Sequence, residues 1–238
     1  HRANLFLVAL DDRRQWYRYH HLFGDVLRAH LANEQPDQVV ELHRRASTWY
    51  ERNAERPEAI RHALSAGDFG HAADLVEREW PALARARQEV TLRGWLDALP
   101  DELLRCRPVL SNAYAGLLLS NGELEGVDQR LRDAERWLTP GQPSLGQGPG
   151  MVVANEEELR TLPGSVALHR AGYALARGNL VETVNHARRA LDLAPEDDHL
   201  NRGGATALMG LAAWASGDLE TAYRSYADGM ADVQRDGH

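Results

Sequence analysis

The sequence predicts an all-α protein, a tetratricopeptide-like α-solenoid of antiparallel helix pairs preceded by a short N-terminal β-hairpin. Three observations carry that prediction. Apolar residues recur at spacings of three and four from Pro36 onward, the period of an amphipathic helix. A glycine-containing turn recurs four times between such stripes. A strand-like pattern is confined to the first twenty residues. With 238 residues, 43% of them apolar, the chain can bury a sizeable core.

The elements follow in order. Leu5–Leu10 and Gln15–Tyr19 are β-prone runs separated by the charged Asp11-Asp12-Arg13-Arg14, which predicts a hairpin. Leu22, Phe23, Val26, Leu27 and Leu31 then form a helical stripe that ends before Pro36. Val39, Leu42, Ala46, Trp49 and Tyr50 are expected on one face of the next helix, and Pro57 opens another that carries Ala59, Ile60, Ala63 and Leu64. Leu92, Trp95, Leu96 and Leu99 repeat the stripe before Pro100, and Pro108 opens an Ala/Leu-rich helix over Val109–Leu119. From Trp137 to Ser165 the pattern stops, and 139–150 is too rich in Gly and Pro for regular structure. Glu156–Leu162 is expected to add one short helical turn before Pro163 and Gly164, with Glu156-Glu157-Glu158 solvated. Helical pairs resume at Ser165 and run to the last residues, where the array is expected to continue in a longer polypeptide.

The recurring turn is Ala66-Gly67-Asp68-Phe69, Asn121-Gly122-Glu123-Leu124, Arg177-Gly178-Asn179-Leu180 and Ser216-Gly217-Asp218-Leu219. Glycine suits a left-handed position just past a helix end, and the polar residue after it suits the start of the next helix. The glycines lie 55, 56 and 39 residues apart. Only the last interval approaches the tetratricopeptide period of about 34, so the array is irregular. Its best repeat runs from Ala171 through the Gly178 turn to Ala187, Ala190, Leu191, Leu193 and Pro195, with small residues where two helices approach.

Composition excludes several functions. The net charge of -8 gives no general attraction to nucleic acid. All 27 basic residues are Arg, so the chain has neither a P-loop lysine nor a Schiff-base lysine. A lone Cys106 makes no internal disulfide or zinc-thiolate cluster, and no apolar run reaches the roughly 18 residues of a membrane span. A cytoplasmic location is expected. Because it starts at His1 without a signal-like apolar segment, the chain is expected to be a piece of a longer protein.

No His-Glu-x-x-His, cysteine pair or Gly-x-Ser-x-Gly elbow is present, so no metal site and no catalytic residue is expected. His43, His62, His71, His169 and His186 read as single, half-exposed structural histidines. The Gly146-x-Gly148-x-Gly150 spacing lacks the flanking strand and helix of a dinucleotide loop. Trp49, Trp80, Trp95, Trp137 and Trp214 read as core residues. Arg44-Arg45 and Arg188-Arg189 read as solvated or Glu-paired basic pairs, although an anionic ligand could use them.

Three segments together resemble a known family: Arg14-Gln-Trp-Tyr-Arg-Tyr-His-His-Leu-Phe-Gly-Asp-Val-Leu-Arg, Leu42-His-Arg-Arg-Ala-Ser-Thr-Trp-Tyr-Glu-Arg and Glu58-Ala-Ile-Arg-His-Ala-Leu-Ser-Ala-Gly-Asp-Phe. They are similar to the large ATP-binding LuxR-type (MalT-like) transcriptional regulators. The stretches from Arg188 to Leu200 and from Ala215 to Ala222 resemble the same family. The resemblance implies that residues 1–33 end a winged-helix domain and that 34–138 is a helical-repeat segment. Residues 139–164 are then a loop or linker, and 165–238 are tetratricopeptide-like repeats cut short at the C-terminus. It implies ATP or ADP in the full-length protein and none in this segment. Tyr19-His20-His21-Leu22 falls where related ATPases carry Met-His-Asp, so His20 takes the place of the histidine that contacts the β-phosphate of ADP. Tyr19 for Met and His21 for Asp depart from that motif, the second removing an acidic helix cap.

Two functions follow. One is the sensor and relay segment of a MalT-like activator, taking an inducer or partner protein on its repeats and communicating with its own ATPase domain. The other is a tetratricopeptide scaffold that binds protein segments without sensing a small molecule. A polar pocket closed by the repeats would favour the first, an open apolar groove the second.

Overall fold

The computed structural model describes residues 6–9, 11–12, 17–138 and 150–235, the last five for their backbone only. The middle of the hairpin and the Gly/Pro-rich run 139–149 lie outside the described residues. The chain divides into two compact units, His1–Asp68 and Phe69–His238.

In the first unit, β1 (Leu7–Ala9) and β2 (Tyr17–Tyr19) pair antiparallel, Val8 opposite Arg18, as the strand-like pattern predicts. α1 (His21–Glu34), α2 (Pro36–Arg52) and α3 (Arg56–Ser65) follow. Phe23 of α1 is held by Phe6, ring centroids 4.5 Å apart, and by Tyr19 at 5.7 Å. α2 packs on α3 through Ser47, which is buried and donates to the Ala59 carbonyl at 2.8 Å. Ala59, Ile60 and Ala63 are fully buried beneath it. The side of α2 that turns inward differs from the predicted one. Ser47 is its buried residue, with Val39, Val40, His43 and Tyr50 half-buried, while Leu42 and Trp49 face solvent at 44% exposure each. The small Ser47 allows a close approach of α2 to α3 that the larger side chains would block, and a hydropathy stripe undervalues it.

The second unit contains α4 (Phe69–Arg85), α5 (Glu89–Asp97), α6 (Asp101–Leu104), α7 (Pro108–Ser120), α8 (Val127–Glu135), α9 (Glu156–Ala176), α10 (Leu180–Leu193), α11 (His199–Ser216) and α12 (Leu219–Arg235). α7, α8 and α9 share one core built on Val109, Leu118, Val127, Leu131, Leu162 and Val166. α9, α10 and α11 share a second, made almost entirely of alanines: Ala167, Ala171, Ala187, Ala190 and Ala205. Small side chains bring the helices close. A Cβ on Gly229 of α12 would lie 2.7 Å from the Gly203 carbonyl of α11, so that crossing requires glycine.

The four turns are alike in detail. Gly67, Gly122, Gly178 and Gly217 all have φ between 66° and 91°. In each, the amide after the glycine donates to the carbonyl five residues back, as Asp68 to Ala63, Glu123 to Leu118, Asn179 to Ala174 and Asp218 to Ala213. This is the Schellman closure, which satisfies carbonyls the helix end leaves open. Asn155, Asn179, Asp198 and Asp218 then cap the following helices, each accepting from the amide three residues on.

Two expectations are corrected here. Residues 156–164 do not belong to a linker, because α9 begins at Glu156 and runs through Pro163 and Gly164 to Ala176. Proline forfeits a backbone bond, but Leu162 and Val166 on either side of it are buried in the core, and Gly164 lies against Ala194, where a Cβ would come within 3.2 Å. Tertiary burial outweighs the local breaker. Nor are Trp49 and Trp214 core residues, at 44% and 65% exposure.

Candidate functional site

His20 stands at the N-cap of α1, where β2 ends. Its amide donates to the Phe6 carbonyl at 2.8 Å and its carbonyl accepts from Gly24 at 2.9 Å, so hairpin and helix together fix its backbone. The imidazole is exposed, 4.4 Å from the His21 ring between centroids. It borders a shallow apolar cavity of about 390 Å³ lined by Phe6, Leu22, Phe23 and Val26. No side chain caps α1 and no acidic residue occupies its first turn. Among the described residues no side chain accepts from the first amides of this 14-residue helix, and the exposed imidazole of His20 stands beside them. That donor set fits a phosphate group on one side; the other donors a nucleotide requires are not among these residues.

Two of the hollows in the repeats are of opposite character. Arg170, Tyr173, Ala174 and Arg177 of α9 and its turn, with Asn179, Glu182 and His186, line a polar one of about 410 Å³. Its cations are largely engaged: Arg170 bonds Asp128 and Glu135 of α8, each at 2.6 Å, and Arg177 lies over the Tyr173 ring. Gly210, Leu211, Trp214, Leu219, Ala222, Tyr223 and Tyr226 line an apolar one of about 460 Å³ between α11 and α12. Leu219, Tyr223, Tyr226 and Met230 recur along α12 at spacings of four and three, and all are exposed. Aligned on their glycine turns, they occupy the places of Leu180, Val184, Ala187 and Leu191 in α10, where α11 packs. The stripe thus has the form of a helix-covering surface.

Two buried polar arrangements were not foreseen. Glu77 of α4 is fully buried, its Oε1 accepting from the amides of Ala154 at 2.7 Å and Asn155 at 3.1 Å. Arg107, itself 5% exposed at the side chain, reaches Glu77 at 3.5 Å, Asp74 at 2.6 Å and the Gly70 carbonyl at 3.2 Å. Burial pushes the Glu77 carboxyl up, against the pull of the two amides and Arg107. This node ties the segment before α9 onto α4 and α7. A glutamate within the run Ala72-Ala73-Asp74-Leu75-Val76-Glu77 was its only sequence signal. Glu158, expected in solvent, is half-buried, and Trp80 donates to it at 3.4 Å.

The histidines are not all single. His43 and His62 meet Nδ1 to Nδ1 at 2.7 Å across α2 and α3, and Tyr50 stacks on His62 with an interplanar angle of 12°. Arg61 donates to His62 Nε2 at 3.1 Å, so His62 carries its proton on Nδ1 and gives it to His43. Burial first, then Arg61 and His43, lower the His62 pKa. His169 Nδ1 lies 2.8 Å from Asn112 Oδ1, and desolvation lowers its pKa to about 4. Both sites are helix-helix contacts. Among the described residues no three His, Cys, Asp or Glu side chains converge as metal ligands, and no helix is long and apolar enough to cross a membrane.

Hairpin, α1 and the start of α2 fall within residues 1–39, which match the MalT winged helix domain. The chain therefore carries a winged-helix segment of the MalT type followed by paired helices, a regulator-type arrangement, and the resemblance to MalT-like regulators is borne out. The chain is similar to the serine/threonine-protein kinase PknK of Mycobacterium tuberculosis (strains CDC 1551 / Oshkosh and ATCC 25618 / H37Rv) and of Mycobacterium bovis, at 40% identity over 138 residues. That match covers 55% of this chain and 12% of the length of those relatives. No solved structure matches the chain.

Proposed function

We propose that this chain is the sensor and relay segment of a signal-transducing ATPase that regulates transcription, with its helical repeats receiving a partner protein segment. The carrying observation for the regulator reading is the MalT-type winged-helix segment with paired helices after it, while the open apolar groove of α11 and α12 favours the scaffold's way of binding, a protein segment in place of a small inducer. Leu211, Trp214, Leu219, Tyr223 and Tyr226 offer a broad surface that an amphipathic helix covers and a small polar inducer does not. The polar hollow between α9 and α10 favours a second reading, a small inducer, but its arginine and histidine are already paired with Asp128, Glu135 and Glu182.

In this reading the segment performs no catalysis, works in the cytoplasm and binds neither nucleic acid nor membrane. ATP or ADP belongs to the full-length protein. There His20 would place an imidazole and the amide end of α1 at a phosphate oxygen, so that nucleotide exchange is felt by the hairpin-helix junction. A thermal-shift screen of the folded chain against sugars, amino acids, nucleotides and small acids tests the choice, since a ligand of the folded state raises its apparent stability. No saturable metabolite shift is expected. A stoichiometric metabolite hit lost on Arg177→Ala would replace the partner-protein reading with the inducer one.

A further inference from the structure

The chain itself shows how a surface like that of α12 is filled. Counted from the glycine of each turn, Leu219, Tyr223, Tyr226 and Met230 of α12 stand where α10 has Leu180, Val184, Ala187 and Leu191. α11 packs on α10. Among the side chains that α11 brings to that joint are Ala205, Met209 and Ala212, at spacings of four and three. Met209 and Ala212 line one hollow with Leu180 and Val184, while Ala205 and Met209 lie with Ala187 and Leu191 in and against the alanine core. The largest of the three, Met209, thus finds its space over a valine and an alanine.

α12 reverses that distribution of bulk. Tyr223 replaces Val184 and Tyr226 replaces Ala187, and the two rings are 78% and 52% exposed. The other wall of the groove grows in the same sense. Trp214 of α11 stands where α9 has Leu175, and Leu211 where α9 has Gly172. Helix joints are close-packed, and a side chain without space costs stability. A helix seated here with methionine at the place of Met209 would collide with two phenol rings. Glycine, alanine or serine at that place, with the flanking places as small as they are in α11, lets its backbone settle onto the rings. We propose that the groove between α11 and α12 seats a helix of a partner protein whose contacting face is glycine, alanine or serine at spacings of four and three. Trp214, Tyr223 and Tyr226 of this chain supply the bulk of the joint. The occupant also offers hydrogen-bond acceptors to the two phenol hydroxyls, which lose water when covered.

This occupant rests on the reading of the groove as a seat for a protein segment and adds the chemistry of that segment. It continues an interface already present, because α12 repeats the stripe on which α11 lies. A second copy of the chain fits less well. The small-residue faces of α9, α10 and α11, with Ala167, Ala171, Ala187, Ala190 and Ala205, are already buried within the repeats.

The test is a fluorescence-anisotropy titration of the full chain with two labelled helical peptides of 18 residues, the length of α11. Both keep leucine at the place of Leu208 and carry Glu and Lys on their outward side. One has alanine at the places of Ala205, Met209 and Ala212, the other leucine at all three. The alanine-faced peptide is expected to bind saturably and at least tenfold more tightly than the leucine-faced one. Tyr223→Val/Tyr226→Ala gives α12 the residues of α10 at exposed positions, and circular dichroism at 222 nm is expected to show it folded like the parent. In that variant the preference for alanine is expected to be lost, and Trp214→Ala should weaken the alanine-faced peptide at least fivefold. Equal or tighter binding of the leucine-faced peptide by the parent overturns the proposal and leaves the protein-segment reading standing. Binding of neither peptide overturns both. A concentration-dependent dimer in sedimentation, lost in the double variant, assigns the groove to a second copy and also overturns the proposal.

Discussion

Replacing Glu77 by alanine should be among the most damaging single changes in this chain. Its carboxylate is fully buried and is the acceptor for the amides of Ala154 and Asn155. Each amide left unsatisfied in the interior costs about 1–3 kcal/mol. Arg107 would lose one carboxylate while keeping Asp74 and the Gly70 carbonyl, which moderates the usual penalty of roughly 3–5 kcal/mol for breaking a buried pair. A total of about 3–5 kcal/mol, at about 2–4 °C per kcal/mol for a chain of this size, lowers the unfolding temperature by roughly 6–20 °C. Circular dichroism at 222 nm measures it, and hydrogen exchange should show faster exchange at Ala154 and Asn155. Glu77→Gln keeps an oxygen for both amides and should lose less than half as much. Because burial raises the folded pKa of Glu77, the folded state holds its proton above the unfolded carboxylate range. Its contribution is therefore fullest below that range and falls as pH rises through the raised value, a slope that the Gln variant lacks. An alanine variant melting within about 2 °C of the parent at neutral pH would refute the node as a structural tie.

His169 gives the opposite pH dependence. Its folded pKa of about 4 lies below the ordinary 6.5, so stability present above pH 6.5 is lost as pH falls toward 4, by up to about 3 kcal/mol; His169→Gln should flatten that part of the profile. Gly116→Ala would place a Cβ 2.6 Å from His169 Nε2, and about 1–3 kcal/mol of overpacking is expected in urea unfolding. Gly217→Ala, at φ 91° with open space around it, should cost about 1–2 kcal/mol from backbone strain alone. In a parent protein with its nucleotide domain, His20→Ala should weaken ADP by roughly tenfold, the loss of one charge-assisted hydrogen bond. Isothermal calorimetry reads this, and unchanged affinity would remove His20 from the phosphate site.

The helices and their ends were legible because their determinants are local. Each Gly turn announces its Schellman closure, and Asn179 and Asp218 after two of them announce caps. The continuation of α9 through Pro163 was hidden because it depends on Leu162, Val166 and Gly164 meeting partners remote in sequence. The same holds for the Glu77 node, 77 residues from the amide it binds most closely, and for His43 and His62, whose contact needs the register of α2 on α3. Trp49 and Trp214 share the spacing of core residues, yet both stay partly exposed, because periodicity does not say which helix face its neighbours bury. His20 was placed by resemblance, and what the structure adds is its exposed position at an uncapped helix start.

The claim that the repeats receive a protein segment is tested most directly by peptide-display selection on the immobilised, folded chain, with recovered peptides titrated against the parent and Trp214→Ala/Tyr223→Ala forms. The account predicts amphipathic helical peptides that bind saturably, protect α11 and α12 from hydrogen exchange, and are lost in the double variant. Peptides that bind both forms equally, or none at all while a metabolite binds stoichiometrically, would contradict it.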